Sequence, residues 1–159
     1  MNDQTRTAVD PLDRIDQSID IDATADTVFG LVSRPGWWIN NGTVDADPDL
    51  RQEGDVTVLT HPEHGEFRLQ TVAYEPPGYV AFRWHHRLPD DGVQRSTLVE
   101  FRIEPRDGGG VALHVAESGF SRLHKPREQW LQDRAGNDKG WATELAAART
   151  FVESAPRSA

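Results

Sequence analysis

Between Tyr79 and Phe120 the chain alternates apolar and polar side chains through three successive runs, a rhythm that constrains the fold more than anything else in it. Val80, Phe82, Trp84 and His86 share one parity, with Ala81, Arg83, His85 and Arg87 on the other. Thr97, Val99, Phe101 and Ile103 then alternate with Leu98, Glu100, Arg102 and Glu104. In the third run Val111, Leu113, Val115 and Glu117 oppose Ala112, His114 and Ala116. A period of two gives each run one buried face and one wetter face, so all three are strands. The connectors Leu88-Pro89-Asp90-Asp91-Gly92 and Asp107-Gly108-Gly109-Gly110 have hairpin chemistry. The stretch is therefore an antiparallel meander, and another part of the chain must cover its aromatic-rich face.

Upstream, residues 1–13 are polar and unpatterned and are expected to form a mobile tail. Ile15, Ile19 and Ile21, with Gln17 on the same parity, predict a strand. Thr24 is placed to cap a helix carrying Val28, Leu31 and Val32, which ends before Pro35-Gly36. Trp37-Trp38-Ile39 follows as a short helix or turn. Asn41 to Gly54 is polar and acidic, a long loop or irregular edge, and Asp55–Thr60 and Phe67–Tyr74 are two further strands. Ser121 to Asn137 is charged and unpatterned apart from Trp130. A closing helix, capped by Asn137 or Asp138, carries Trp141, Leu145, Ala148, Phe151 and Val152 on one stripe. One domain over residues 14–155 with a tail at 156–159 accounts for the whole. It is of the α+β class, a curved antiparallel sheet wrapped around a long C-terminal helix.

A formal net charge of −9 and the lack of any Lys/Arg cluster argue against nucleic acid or an anionic membrane as the main partner. The absence of cysteine excludes disulfides, thiolate metal sites and cysteine nucleophiles. No apolar leader or membrane-spanning run is present, so a cytoplasmic protein without membrane insertion is expected.

Within the meander, His86 and Glu117 lie near the same edge on the apolar parity, with Thr97 between them. Strand spacing puts them about 10 Å apart. A carboxylate beside Trp84 and Phe120 is partly desolvated, which raises its pKa and suits proton transfer. Both groups are thus catalytic candidates, or else rim residues facing water. Trp38, Phe67, Trp84, Phe120 and Trp141, with Trp37, Phe101 and Trp130, either line a cavity for a flat apolar ligand or fill an ordinary core. His61-Pro62-Glu63-His64 lacks a third metal ligand and reads as a solvated turn. Gly108-Gly109-Gly110 is no phosphate loop and Ser118 no nucleophile elbow. His85 and His114 belong to the outer parity. No metal and no cofactor are expected.

Ile19-Asp20-Ile21-Asp22-Ala23 leading into Val28-Phe29, then Trp37-Trp38, begins a resemblance to a known family. It continues through Glu75-Pro76-Pro77-Gly78-Tyr79-Val80-Ala81-Phe82-Arg83-Trp84, Gly109-Gly110-Val111-Ala112-Leu113, Glu117-Ser118-Gly119-Phe120 and Gly140-Trp141 with Leu145. Over residues 14–153 the chain resembles the START-like (SRPBCC) superfamily, in the branch homologous to the activator of heat-shock-protein-90 ATPase. The resemblance implies a helix-grip fold. Among the superfamily are ligand carriers, cyclase-type enzymes and co-chaperone domains. The segment Leu123 to Asn137 departs from the family, so nothing it gates carries over.

The reading that follows is binding of a small, largely apolar molecule between sheet and C-terminal helix. Trp38, Trp84, His86 and Glu117 are the contact set, with Phe67, Phe120 and Trp141 as walls. The alternatives are a cyclase- or hydrolase-type enzyme on the same cavity with Glu117 as general base, and a module acting on a chaperone through its surface. An exposed strand edge or the Trp130 segment offers a homodimer contact.

Overall fold

A computed structural model describes residues 11–86 and 95–154 of the chain. The elements are β1 (Arg14–Ile21), α1 (Ala25–Val32), β2 (Asp49–Glu53), β3 (Val56–His61), β4 (Gly65–Glu75), β5 (Tyr79–His85), β6 (Ser96–Pro105), β7 (Val111–Ser118) and α2 (Arg127–Ser154). The seven strands form one antiparallel sheet in the order β1-β7-β6-β5-β4-β3-β2. From β2 to β7 the chain is a meander, and β1 closes it by pairing with β7. The Leu88–Gly92 connector lies outside the described residues.

The alternation that predicts the strands is what buries them. Val80, Phe82, Thr97, Val99, Phe101, Val111, Leu113, Val115 and Glu117 all point into one interior. That face is covered by α1, by the turns through Trp37 and Trp38, and by α2. Thr24 caps α1 as expected, its hydroxyl accepting the Thr27 amide. The β6–β7 turn passes so close to the end of β1 that a Cβ on Gly110 would stand 2.6 Å from the Ile21 carbonyl, and its φ is +75°. Only glycine suits both conditions.

Helix α2 lies along β1 and runs parallel to it. Arg134 donates to the Arg14 carbonyl, the Gln17 amide to Asp138, and the Asp22 backbone amide to Glu153. From Arg134 to Glu153 the helix rises about 28 Å, and from Arg14 to Asp22 the strand advances about 26 Å. The two elements therefore stay in step along their whole contact.

Four sequence expectations need correction. Residues 41–54 include a strand, β2, so six strands follow α1 rather than five. All five β2 residues are exposed, which erases the alternation that marks the others. The closing helix begins at Arg127, ten residues before Asn137. Its start hid because few apolar residues besides Trp130 and Leu131 mark it, while Arg134 and Asn137 bond to the protein instead of packing. Trp130 consequently sits in a helix and is buried, 4% exposed, so its own side chain belongs to the core. Lastly, Pro11–Asp13 form a 3-10 turn. Asp13 is buried there, its carboxylate accepting the Ser121 amide and hydroxyl. Residues 1–10 and 155–159 lie outside the described residues.

Candidate functional site

Because α2 sits over the β1 side of the sheet, a cleft of about 230 Å³ remains between the helix and the β4–β5 side. Phe67 on β4 and Trp84 on β5 form one wall. Trp38, Ile39 and Asn40 come from the turns after α1, and His64 from the β3–β4 turn. Gly136, Asn137, Gly140, Trp141 and Glu144 form the helical wall. Trp38 is the hub of the aromatics, with ring centroids 5.6 Å from both Trp84 and Trp141 and 5.5 Å from Phe82.

The helical wall owes its shape to two glycines. Gly136 and Gly140, one turn apart, sit in the interior of a 28-residue helix, where each costs about 1 kcal/mol relative to alanine. A Cβ placed on either meets nothing within 4 Å. The helix thus gives up stability at two positions where it borders open space.

Behind this wall lies Glu117, with no exposed surface. It accepts the Thr97 hydroxyl at 2.6 Å, the Trp141 indole at 2.8 Å, and the Asn137 amide at 3.1 and 3.3 Å. Burial pushes its pKa up, and the donors from Thr97, Trp141 and Asn137 pull it back. One carboxyl group thereby joins β6, β7 and α2. Two of its partners, Asn137 and Trp141, also face the cleft.

The expected site residues divide into two groups. Trp38, Phe67, Trp84 and Trp141 line the cleft together. Glu117, His86 and Phe120 are not among its lining. Phe120 is fully buried in the core. The His86 ring packs at 5.6 Å from Trp84, and its buried Nε2 has no hydrogen-bond partner among the described residues. Burial pushes its pKa down to about 4, and Lys125 and His85 act in the same direction against Asp133. The Thr97 side chain bonds Glu117 but not His86, so the geometry between the two candidate acids and bases is a hydrogen bond on one side only.

Glu144 escaped the sequence reading. It is 8% exposed, lines the cleft, and accepts the Gly42 amide through Oε2 at 3.2 Å. Burial pushes its pKa up to about 7, with the Gly42 amide pulling the other way. Its position carried a signal: Glu144 follows Trp141 by three residues and precedes Ala148 by four, which puts an acid on the apolar stripe.

His61 and His64 stack at 4.5 Å, and His61 Nδ1 accepts the Glu63 and His64 amides. These imidazoles organise their turn, and among the described residues no three acidic or histidine side chains are grouped to hold a metal ion. None of the described helices is long and apolar enough to cross a membrane. A larger hollow of about 290 Å³ crosses the outer face of the sheet. Most of its walls are charged or polar residues such as Arg14, Asp16, Glu100, Arg102 and His114, and no phenylalanine, tyrosine or tryptophan lines it.

Comparison with known proteins follows this architecture. Residues 22–149 match the family model described as activator of Hsp90 ATPase homolog 1-like protein. No curated protein sequence matches the chain. Among solved structures, protein MLL2253 from Mesorhizobium loti is similar with a TM-score of 0.67 at 15% identity, over 91% of this chain and 99% of that one. The Aha1 dimer from Colwellia psychrerythraea gives 0.62 at 15% identity, over 89% and 96%. The Polyketide_cyc-like protein Cgl2372 from Corynebacterium glutamicum gives 0.56 at 19% identity, over 88% and 91%. At these identities the likeness is one of fold, and the fold is the START-like, helix-grip one: a curved antiparallel sheet with a long C-terminal helix. With the model match spanning most of its length, the chain belongs to the family of activator of Hsp90 ATPase homolog 1-like proteins.

Proposed function

We propose that this protein binds a small, largely apolar molecule in the cleft between α2 and the β4–β5 side of the sheet. One observation carries the reading: Trp38, Phe67 and Trp84 stand across a cleft from a helical wall made of Trp141 and two mid-helix glycines with open space beside them. Small-molecule sites are concave and mostly apolar, with a few placed polar groups, and this cleft has that make-up. Trp38, Phe67, Trp84 and Trp141 are the contact residues. Glu117 acts from behind, fixing the orientation of Trp141 and Asn137. The relative named as Polyketide_cyc-like lends the reading a parallel within the same fold.

The test is a calorimetric titration with three bicyclic probes of nearly equal shape: naphthalene, coumarin and quinolin-2(1H)-one. At least one is expected to bind with a Kd of order 0.1 mM, which corresponds to on the order of −0.5 kcal/mol per heavy atom. Gly140→Phe projects a ring into the cleft, and its Cβ has room, so the variant should fold and lose binding at least about tenfold. Failure of all three probes to bind, or binding indifferent to Gly140→Phe, overturns the proposal.

A further inference from the structure

Two polar atoms in the cleft wall are buried and have no hydrogen-bond partner among the described residues, Trp38 Nε1 and Glu144 Oε1. Both residues are buried and both line the cleft. Trp38 packs at 5.6 Å against Trp141, and Glu144 is the next residue but two along the same helix face.

A buried polar group without a partner costs about 1–3 kcal/mol, and folded proteins leave few of them. The neighbouring indole shows the usual outcome, since Trp141 Nε1 donates to Glu117. The other Glu144 oxygen accepts the Gly42 N–H at 3.2 Å, a donor it shares with Asn40 Oδ1 at 3.1 Å. An indole N–H can only donate, whereas a carboxylate oxygen only accepts. The other titratable side chain in the lining, His64, is exposed and faces Asn41.

Building on the small-molecule reading, we propose that Trp38 Nε1 and Glu144 Oε1 are the polar recognition points of the cleft, so that its ligand is a flat heterocycle presenting an acceptor to Trp38 and an N–H or O–H donor to Glu144. A ring lactam has this pattern. Its carbonyl takes the indole proton, its N–H takes the free carboxylate oxygen, and its ring lies among Trp38, Trp84 and Phe67. A pKa pushed up to about 7 by burial is the mark of a carboxylate short of donors, the deficit such a ligand makes good.

The three probes separate this inference from the reading it rests on. Quinolin-2(1H)-one carries both donor and acceptor, coumarin the acceptor alone, and naphthalene neither. The lactam is expected to bind about tenfold tighter than coumarin at pH 8, the value of one hydrogen bond to a charged group. Glu144→Gln should remove that advantage. The Gly42 amide holds the side-chain oxygen of the new residue, and an NH2 then stands where Oε1 was. Trp38→Phe should weaken lactam and coumarin by more than it weakens naphthalene, so that the ratio of coumarin to naphthalene affinity falls. Equal binding of all three probes to the unmodified protein overturns the inference and leaves the apolar site standing. Binding by none overturns both, and because the comparison rests on the ligands, poor folding of a variant does not affect it.

Discussion

His86 follows the last residue of β5 with its ring beside Trp84, and its environment makes it a group that resists protonation. The sign of its effect on stability follows from its pKa, which falls from 6.5 to about 4 on folding, mainly through burial. A depressed folded pKa means that the unfolded chain binds the proton first. His86 therefore costs nothing above pH 6.5, and its stabilising contribution is lost as the pH falls from 6.5 towards 4. The loss is on the order of 2–3 kcal/mol across that window. Glu144 works in the opposite sense. Its folded pKa is raised from 4.5 to about 7, so its contribution is full below 4.5 and disappears as the pH rises through 7. Because the two windows overlap, the parent protein alone does not separate them. The expected outcome is that His86→Gln gains stability relative to the parent as the pH falls from 7 to 4.5, read as the difference between their urea midpoints at each pH. Equal slopes in variant and parent would contradict the assignment.

At the scale of elements, the decisive contact is the one Glu117 makes among β6, β7 and α2. Its three partners are all donors as placed, so the carboxylate satisfies Thr97, Asn137 and Trp141 together. Glu117→Leu keeps the volume and strands those donors, which should cost about 3 kcal/mol or more in a urea melt. Glu117→Gln should cost about 1 kcal/mol, since the Thr97 hydroxyl can turn to accept from the amide. A Leu variant as stable as the parent would show that the carboxylate is not what ties helix to sheet. The same elements mark how far the sequence was legible. Strands such as β5, β6 and β7 declared themselves because one face is apolar throughout, and Glu117 could be placed on that face by parity alone. By contrast β2 has no buried face, and the start of α2 meets the rest of the protein through polar Arg134 and Asn137, so neither has a hydrophobic period to read. What Glu117 bonds to depends on which turn of α2 lies against β7. That is a matter of helix length and docking, which the periodicity of a single element does not contain. Glu144 was hidden for a related reason, since an acidic residue reads as surface until the Gly42 turn is seen to cover it.

For the whole molecule, the sheet curves around α2 and α2 follows β1, so the interior is well filled on that side and open on the other. The Trp38, Phe67, Trp84 and Trp141 cleft is a consequence of this asymmetry, and Gly136 and Gly140 widen it. Family membership constrains the architecture and does not fix what, under the proposed reading, the cleft holds. Three of its five tryptophans line the cleft, which makes their indole N–H signals direct reporters of occupancy. The central measurement is a two-dimensional 1H–15N spectrum recorded while quinolin-2(1H)-one is titrated into the native protein. The account predicts that the Trp38 and Trp84 indole signals move with saturation while that of Trp130, outside the cleft, stays in place. Shifts confined to Arg14, Glu100 and His114 on the outer face of the sheet, with the indoles unmoved, would contradict it.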